Sequence, residues 1–574
     1  MKIRNYLLSG CLIAALCSCG TSQKENLNLT LSKDTLFDKV KGAWAGQILG
    51  CTYGGPTEFQ YLSTIIPDSV VMPWGNGEIK KWFDGGGGLY DDVYVDLTFV
   101  ETFERCGLDA PVDSFAAAFL AKEYPLCHAN QQARYNLLQG LSPHASGYWK
   151  NNPHANCLDF QIEADFAGIM SPGMVNSAVD FCDRIGHIMA YGDGWYGGVY
   201  VAAMYSLAYV SDDIEYIVTE GLKAIPQQSR FYACMTDVIN WHKQYPDDWK
   251  KCWEEIEKKW GTNDIACPDG IEVPFNIETY VNGAYIILGL LYGQGDFEKT
   301  IDISTRAGQD SDCNPASSGG ILGTMLGYNR LPEKYKAEIV IVEDMPFNNT
   351  VSFNKGSELS YGQALQMIER EGGKVGENEV KINFQKPVPA KLEISFEGLK
   401  LDKKVTVDNW IANFSTVEFD GIGAVIKGEL KGDNVPEDYV AELEVYFNDK
   451  YIGHTLRTDS TSLKLQAITQ EIKTDESSEI KEILELGRNI TFETTVLLDE
   501  NSINTFGITP DVKTLVKKGV IEIVTMSNSV RIKLLSAVIT LEINFNFKTE
   551  GTHSVKIKAK ALRNEDNKDI EIIT

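Results

Sequence analysis

The pattern of apolar and polar positions changes character once along the chain. Up to about residue 345, apolar positions recur at helical spacing between glycine-rich breaks. DDVYVDLTFVETFERCG, residues 91–107, carries Val93, Leu97, Val100 and Phe103 near that spacing and stops at a glycine. VDSFAAAFLAKEY predicts another helix. GGVYVAAMYSLAYV and YVNGAYIILGLLYG are apolar almost all round, so both predict buried central helices. GDFEKTIDISTRAG predicts a helix capped by Asp296 and stopped at Gly308. After about residue 355 the pattern alternates: VKINF, KLEISF, AVIKGEL, AELEVYFN and HSVKIKAKAL predict strands. One helix is expected over 356–373, between the two parts. The expected fold is multidomain. An all-α domain spans 33–345, a linker with a helix 346–380, and an all-β sandwich-like region 381–574. An insertion is expected at about 459–539, where TDESSEIKEILELG reads as helical and KKGVIEIVTM and VRIKLL as strands.

The first residues, MKIRNYLLSGCLIAALCSCG, place Lys2 and Arg4 before an apolar run over 6–16. That run is too short to span a bilayer as a mature helix. Leu16-Cys17-Ser18-Cys19 reads as a bacterial lipobox with Cys19 as the lipidated residue, and a plain secretion signal is the alternative. Residues 1–19 are thus a signal and 20–32 a polar tether. The chain is expected to be an exported, outer-membrane lipoprotein held by lipid alone. A formal net charge of −27 argues against a nucleic-acid partner, which needs basic stripes. Of twelve cysteines, Cys11, Cys17 and Cys19 lie in the leader, and the other nine fall between Cys51 and Cys313. With no CxxC and no zinc spacing, most are expected to be small buried apolar groups.

Three stretches carry candidate chemistry. In GGGGLYDDVYVD, residues 85–96, Asp91 and Asp92 open a helix and Asp96 shares a face with Asp92. An aspartate there can simply cap free N–H groups, but one cap needs one side chain. In RAGQDSDCNPASSGG, residues 306–320, Asp310 and Asp312 converge only if the backbone is not helical, because helical residues two apart point about 200° from each other. Asn314 and Pro315 read as the N-cap and first residue of the next helix, which leaves both aspartates without a capping role. Clustered carboxylates repel unless a cation joins them, and hard oxygen donors favour Mg²⁺, Mn²⁺ or Ca²⁺. The third stretch, GAWAGQILGCTYGGPTEF, is a glycine-punctuated helix that leads to a turn with Glu58.

Together these stretches resemble the ADP-ribosylglycohydrolases. That family has a glycine-rich helix and a turn with a glutamate, here GCTYGGPTEF. It has a Thr-Asp-Asp-Thr motif, here Tyr90-Asp91-Asp92-Val93, and a Gly-Gly-Asp-Thr-Asp-Thr motif, here residues 308–313. The resemblance covers roughly residues 35–330. It implies an all-α fold with two Mg²⁺ or Mn²⁺ ions that engage ribose hydroxyls and a nucleophilic water. It implies Asp91, Asp92, Asp310 and Asp312 as metal ligands, and Glu58, Asp92 and Asp310 as catalytic. The chain departs from the family at Tyr90 and Cys313, which stand where it keeps threonine ligands, and at Cys51, which stands where it keeps an aspartate.

The middle stretch, residues 161–198, resembles a branch of the family found in exported bacterial proteins. Its polar candidates for substrate binding are Glu163, Asp165, His187 and Asp193, with Trp195 beside them in GDGWYGG. A lone histidine on an apolar helix can equally be a core residue, and GDGWYGG can equally be a plain turn. Trp74, Trp82 and Tyr148-Trp149 are either sugar-stacking platforms or loop anchors. The expected function is metal-dependent hydrolysis of a glycosidic bond in an ADP-ribosylated or small-molecule substrate. The alternatives are a glycoside hydrolase acting on a glycan and a catalytically silent glycan-binding lipoprotein.

Overall fold

The computed structural model describes residues 28–396 except 76, 123, 125, 127, 139, 150, 153 and 262–273, and beyond 396 it describes strands alone. The leader with Cys19, residues 20–27 of the expected tether, the expected helix at 474–487, Cys127 and Cys267 therefore lie outside the described residues, and the last five residues of that tether, Asn28–Ser32, form a strand instead. Among the described residues no helix is long and apolar enough to cross a membrane.

The helices that position the site form where the periodicity predicts them. We label these α1 (Lys33–Gly54), α2 (Asp91–Cys106), α3 (Asp193–Ala208), α4 (Thr279–Gly293), α5 (Phe297–Arg306), α6 (Cys313–Leu326) and α7 (Phe353–Arg370). Ser32 Oγ accepts from Thr35 N at 3.0 Å and caps α1. α2 ends at Gly107, whose φ of 81° is open to glycine at little cost. α3 and α4 are buried at every position, as their all-round apolarity requires. The Asp296 carboxylate accepts from Lys299 N at 2.8 Å and caps α5.

α1 and α6 touch backbone to backbone. Gly42, Gly46, Gly50 and Gly54 fall four apart on one face of α1. A Cβ built on them would lie 2.2, 2.1, 2.0 and 1.7 Å from the carbonyl oxygens of Gly323, Gly319, Pro315 and Ser311. Real Cβ atoms do not approach oxygen that closely, so this crossing exists only because the four positions carry no side chain. Gly319 and Gly323 give the same room from α6.

The segment after residue 345 belongs to the same packed body. The helix expected over 356–373 is α7, and it is not a free connector. Phe353, Leu359, Met367 and Ile368 are buried. Trp44 Nε1 on α1 donates to Ser360 Oγ at 3.1 Å, and Gln363 Nε2 donates to the Val100 carbonyl on α2 at 2.9 Å. VKINF forms the strand Glu379–Asn383, which pairs antiparallel with Asn28–Ser32 and with Lys374–Val375. KLEISF, expected as a strand, has no ladder partner and runs irregularly across the helices. Its polar backbone is engaged there instead: Glu393 N donates to Tyr196 Oη at 2.6 Å, and Tyr196 Oη donates to the Lys391 carbonyl at 2.7 Å.

Beyond 396 the alternating stretches form strands as predicted. AVIKGEL lies within Ser415–Asp433, AELEVYFN gives Ala441–Phe447, and all but the last residue of HSVKIKAKAL lie within Ser536–Ala561. Ser536–Ala561 pairs antiparallel with the first two and with Asn501–Gly507 in an eight-stranded sheet. Ile521–Met526 and Ser529–Leu534 pair as a hairpin in a separate three-stranded sheet.

The glycine contact makes a paired prediction. Gly50→Ala drives a methyl into the Pro315 carbonyl, and overpacking against backbone costs about 3 kcal/mol or more. Gly362, inside α7, meets nothing within 4 Å, so Gly362→Ala stabilises by up to about 1 kcal/mol through helix propensity. Thermal unfolding of the two variants should move the midpoint in opposite directions. A Gly50→Ala protein that melts with the wild type would show that this helix contact is not a constraint.

Candidate metal centre

Two chain turns build the centre. The first follows the four glycines, where Gly86 and Gly87 adopt φ of 104° and 68° and Asn348 Nδ2 donates to the Gly87 carbonyl at 2.9 Å. This turn delivers Asp91 and Asp92 as the first two residues of α2. The second turn precedes α6. Gly308 and Gln309 both have positive φ, 85° and 57°. Gln309 ties three loops together. Its N–H donates to the Tyr61 carbonyl at 3.0 Å and its carbonyl accepts from Phe59 N at 3.1 Å. Its side chain accepts from Asn276 N at 3.0 Å and donates to Ser63 Oγ at 3.2 Å and the Pro274 carbonyl at 2.9 Å.

α6 begins at Cys313, so the expected cap at Asn314 is corrected. The Asp310 and Asp312 carbonyls already accept from Asn314 N and Ala316 N at 3.2 and 3.0 Å. Pro315 falls in the first turn of α6, where proline is tolerated. Asn314 Nδ2 instead donates to Asn282 Oδ1 at 3.0 Å. Asp312 occupies the cap position without a side-chain capping bond. Its carboxylate is free of that role, as expected, though for a different reason.

The four aspartates converge from the two turns. Ligand atoms of Asp91, Asp92 and Cys313 lie within 4.8 Å of one another, as do those of Asp310, Asp312 and Cys313. Asp92, Asp310 and Asp312 are almost fully buried, at 0, 3 and 1% exposure. Both carboxylate oxygens of Asp92 and the Oδ1 atoms of Asp310 and Asp312 have no hydrogen-bond partner. Buried polar groups in folded proteins are nearly always hydrogen-bonded. The polar neighbour these oxygens do have, the Cys313 thiol, is a weak donor. Acceptor-only oxygens turned towards one another fit a bound cation. Asp91 is half-buried and also accepts from Asp92 N at 3.2 Å, so it serves partly as a helix-start residue.

Burial and mutual repulsion push these acids up. Asp310 rises to about 8, mainly through desolvation with Glu58 adding to it. Asp91 rises to about 7 through desolvation and the nearby Asp159. Asp92 and Asp312 rise well above the carboxylate range through desolvation and the charges of their neighbours. Glu58 is open to solvent at the rim, yet the facing Asp312 carboxylate pushes it up to about 9, with desolvation and Asp91 adding to it. At Asp91, Glu58 and Asp159, His128 acts in the opposite direction.

Tyr90 does not face the aspartates. Its hydroxyl is 2.9 Å from Thr52 Oγ1, and its ring packs between Phe83 and Phe347. Ser311 Oγ is 2.9 Å from Thr57 Oγ1. Cys51 Sγ donates to the Leu89 carbonyl at 3.1 Å and is 3.9 Å from Asp312 Oδ2. Asp96 accepts from Gln47 Nε2 at 3.2 Å and Phe166 N at 3.5 Å, below the cluster rather than in it.

The remaining candidates divide. Glu163 is fully buried, accepts from Asn130 Nδ2 and feels the charges of Asp159 and Asp91, so it belongs to the acidic surroundings of the centre. Asp165 accepts from Tyr205 Oη at 2.5 Å and is one of the charges acting on Asp92. Asp193 accepts from Phe231 N at 3.0 Å and Tyr280 Oη at 2.7 Å, which ties α3 to two distant segments. Trp195 is buried and donates to the Cys182 carbonyl at 2.8 Å. His187 packs on Trp195, and its Nε2 is 3.1 Å from Glu393 Oε2. Burial alone would push His187 down, but the bond and charge of Glu393 raise it. Trp74 donates to the Lys334 carbonyl at 3.2 Å, Trp82 is packed against the core, and Trp149 is buried.

Sequence reasoning missed Asp159 and His128. Asp159 accepts from Asn130 N at 2.9 Å and is pushed up to about 6 by desolvation. The signal was present, since Asp159 and Glu163 are four apart in one stretch. Phe59 and Phe275, with ring centroids 5.1 Å apart, cover the small apolar cluster that contains Cys313. The His128 ring stacks on Phe275 at 5.9 Å.

A family model described as ADP-ribosylglycohydrolase matches residues 32–346. A solved structure titled "ADP-ribosylglycohydrolase-related protein complex" is similar at 13% identity and a TM-score of 0.40, over 58% of this chain and 98% of that one. No curated protein matches the chain.

The raised acids fix a pH dependence for the cation-free protein. A carboxyl whose pKa is higher in the folded state binds more protons folded than unfolded, so stability falls as pH rises. The fall starts near pH 4, where unfolded carboxyls ionise. It continues through about 6 for Asp159, 7 for Asp91 and 8 for Asp310. In chelator, the melting temperature should drop steadily between about pH 5 and pH 8. A divalent cation should flatten that slope, and Asp310→Asn should make the chelator profile shallower. A chelator profile that is flat, or that rises with pH, would contradict this picture of the centre.

Proposed function

This chain belongs to the ADP-ribosylglycohydrolase family, and from that membership we propose a hydrolase that cleaves a glycosidic bond with the help of divalent cations. The observation that carries the metal requirement is the set of buried, unpartnered oxygens on Asp92, Asp310 and Asp312. Asp91, Asp92, Asp310 and Asp312 would hold the cations. A bound cation would supply polarisation of substrate oxygens and a lowered pKa for water.

The chain's own residues do the rest. Glu58 sits at the open rim and exchanges a proton with solvent or substrate. Its pKa, raised to about 9 beside Asp312 and Asp91, suits Glu58 to proton transfer at the rim. Asp159 and Glu163 add negative charge behind Asp91. Phe59 and Phe275 offer ring faces beside the centre.

The favoured substrate is an ADP-ribosyl bond. A glycan bond is the second reading, favoured by the lipobox-like Cys19 and by the strand-rich region after residue 396, which we take as a sandwich. Export and lipid anchoring at Cys19 are part of this proposal. The silent glycan-binding reading is opposed by carboxylates kept buried without partners, which cost stability if nothing binds them.

The test combines metal binding with a substrate panel. Asp92→Asn and Asp310→Asn should remove cation-induced stabilisation in calorimetry and lower hydrolysis by about 100-fold or more. Asp193→Asn should lower the melting temperature with far less effect on cation binding, since its partners are Phe231 and Tyr280. Release of ADP-ribose from a modified protein, against release of sugar from a glycan panel, decides the substrate. If Mg²⁺, Mn²⁺ and Zn²⁺ all fail to bind the wild type, the metal-dependent reading is wrong.

A further inference from the structure

We propose that Cys313 is a ligand shared by the two carboxylate pairs, and that it makes the centre select a thiophilic cation of the zinc or ferrous class over Mg²⁺. The inference rests on the metal-dependent reading above and deepens it.

The geometry comes first. Cys313 Sγ is the one atom common to both candidate ligand groups, each with all its members within 4.8 Å. A cation held by either aspartate pair therefore has sulfur within reach. The side chain is 3% exposed, so solvent does not compete for it. It is the first residue of α6, and α6 is held against α1 by the glycine contact, so its Cα cannot shift without moving a helix. The unpartnered oxygens of Asp92, Asp310 and Asp312 point independently to a bound cation at the same place.

The chemistry then chooses the ion. Mg²⁺ prefers oxygen, keeps several waters and demands near-ideal octahedral geometry. Thiolate selects softer ions, and Zn²⁺, Fe²⁺ and Co²⁺ accept mixed sulfur and oxygen ligands. On binding, the Cys313 S–H proton leaves to solvent or to a neighbouring carboxylate, and an S–metal bond replaces it without any redox change. Cys51 and Cys157 are also nearby, but Cys51 Sγ donates to the Leu89 carbonyl with Asp312 Oδ2 3.9 Å away, Cys157 Sγ is 3.6 Å from His154 Nδ1, and both lie outside the two groups.

The experiment uses the full chain, stripped with chelator and titrated separately with Co²⁺, Zn²⁺, Mn²⁺ and Mg²⁺. Bound Co²⁺ should show a sulfur-to-cobalt charge-transfer band in the near ultraviolet. That band should persist in Cys51→Ser and vanish in Cys313→Ser. Zn²⁺ should bind the wild type at least about tenfold tighter than Mg²⁺, and Cys313→Ser should remove most of that preference, since losing even an outer-shell partner costs roughly 10–100-fold in metal affinity. If Cys313→Ser does not fold, the wild-type cobalt spectrum and the Zn²⁺ to Mg²⁺ ratio decide alone. Co²⁺ bound without the band, a band that depends on Cys51, or Mg²⁺ bound as tightly as Zn²⁺ overturns the role of Cys313 and leaves the metal-dependent hydrolase standing. Failure of all four ions to bind overturns both.

Discussion

The backbone contact between α1 and α6 is the constraint on which the rest depends. Four glycines in one helix meet the carbonyls of another, and the last of them, Gly54, meets Ser311. The helix that ends in the Cys51–Glu58 turn is thereby pressed onto the residues that carry Asp310 and Asp312. Dispersion contacts fall off steeply with separation, so a close crossing is also a stiff one. A methyl at any rung would push α6 outward and carry Asp312 and Cys313 with it. The ligand geometry is therefore set by residues that touch no ligand.

Local backbone strain completes what the helix contact begins. Phe59, His128 and Gln309 are non-glycine residues with φ of 50°, 45° and 57°, and all three belong to the centre or its rim. Such conformations cost of order 1–3 kcal/mol each and persist only where the surroundings over-determine them. At Gln309 the surroundings are visible. Two backbone bonds and three side-chain bonds hold it between the loops at Ser63, Pro274 and Asn276. The turn that carries Asp310 is fixed before any ligand arrives.

Much of this was legible in the sequence, and the misses have physical causes. α2 could be read because its apolar spacing ends on a glycine that the C-cap needs. The pairing of Asp91 and Asp92 with Asp310 and Asp312 could be read from the family resemblance of their motifs taken together, since either pair alone reads equally as helix-start or turn residues. The start of α6 could not, because a proline in the first turn is compatible with more than one position. KLEISF alternates like a strand, but its apolar face is not the covered one: Leu392 and Ile394 are exposed, and Glu393 turns in to His187 and Tyr196 instead. GDGWYGG looks like an exposed loop because it is rich in glycine. Those glycines instead let α3 pass close to the Ala155 carbonyl, Thr279 and Phe160. Asp159 and His128 were missed because their roles depend on neighbours far away in sequence.

Burial alone does not separate a functional carboxylate from a structural one in this protein. Asp92, Asp96, Asp165 and Asp193 are all buried. Asp193 receives a backbone N–H and a tyrosine hydroxyl, Asp96 receives Gln47 and a backbone N–H, and Asp165 receives Tyr205. Asp92 receives no such donor on either oxygen. Donors are scarcest where the aspartates meet: both oxygens of Asp92 and one each of Asp310 and Asp312 are bare, whereas Asp165 and Glu163 each leave one oxygen bare. An unpaired buried acceptor costs roughly 1–3 kcal/mol. Several in one place amount to a large share of a domain's stability of about 5–15 kcal/mol. A fold that gathers four such carboxylate oxygens where its aspartates meet, and stiffens the backbone around them, is organised to have them met by a cation from outside.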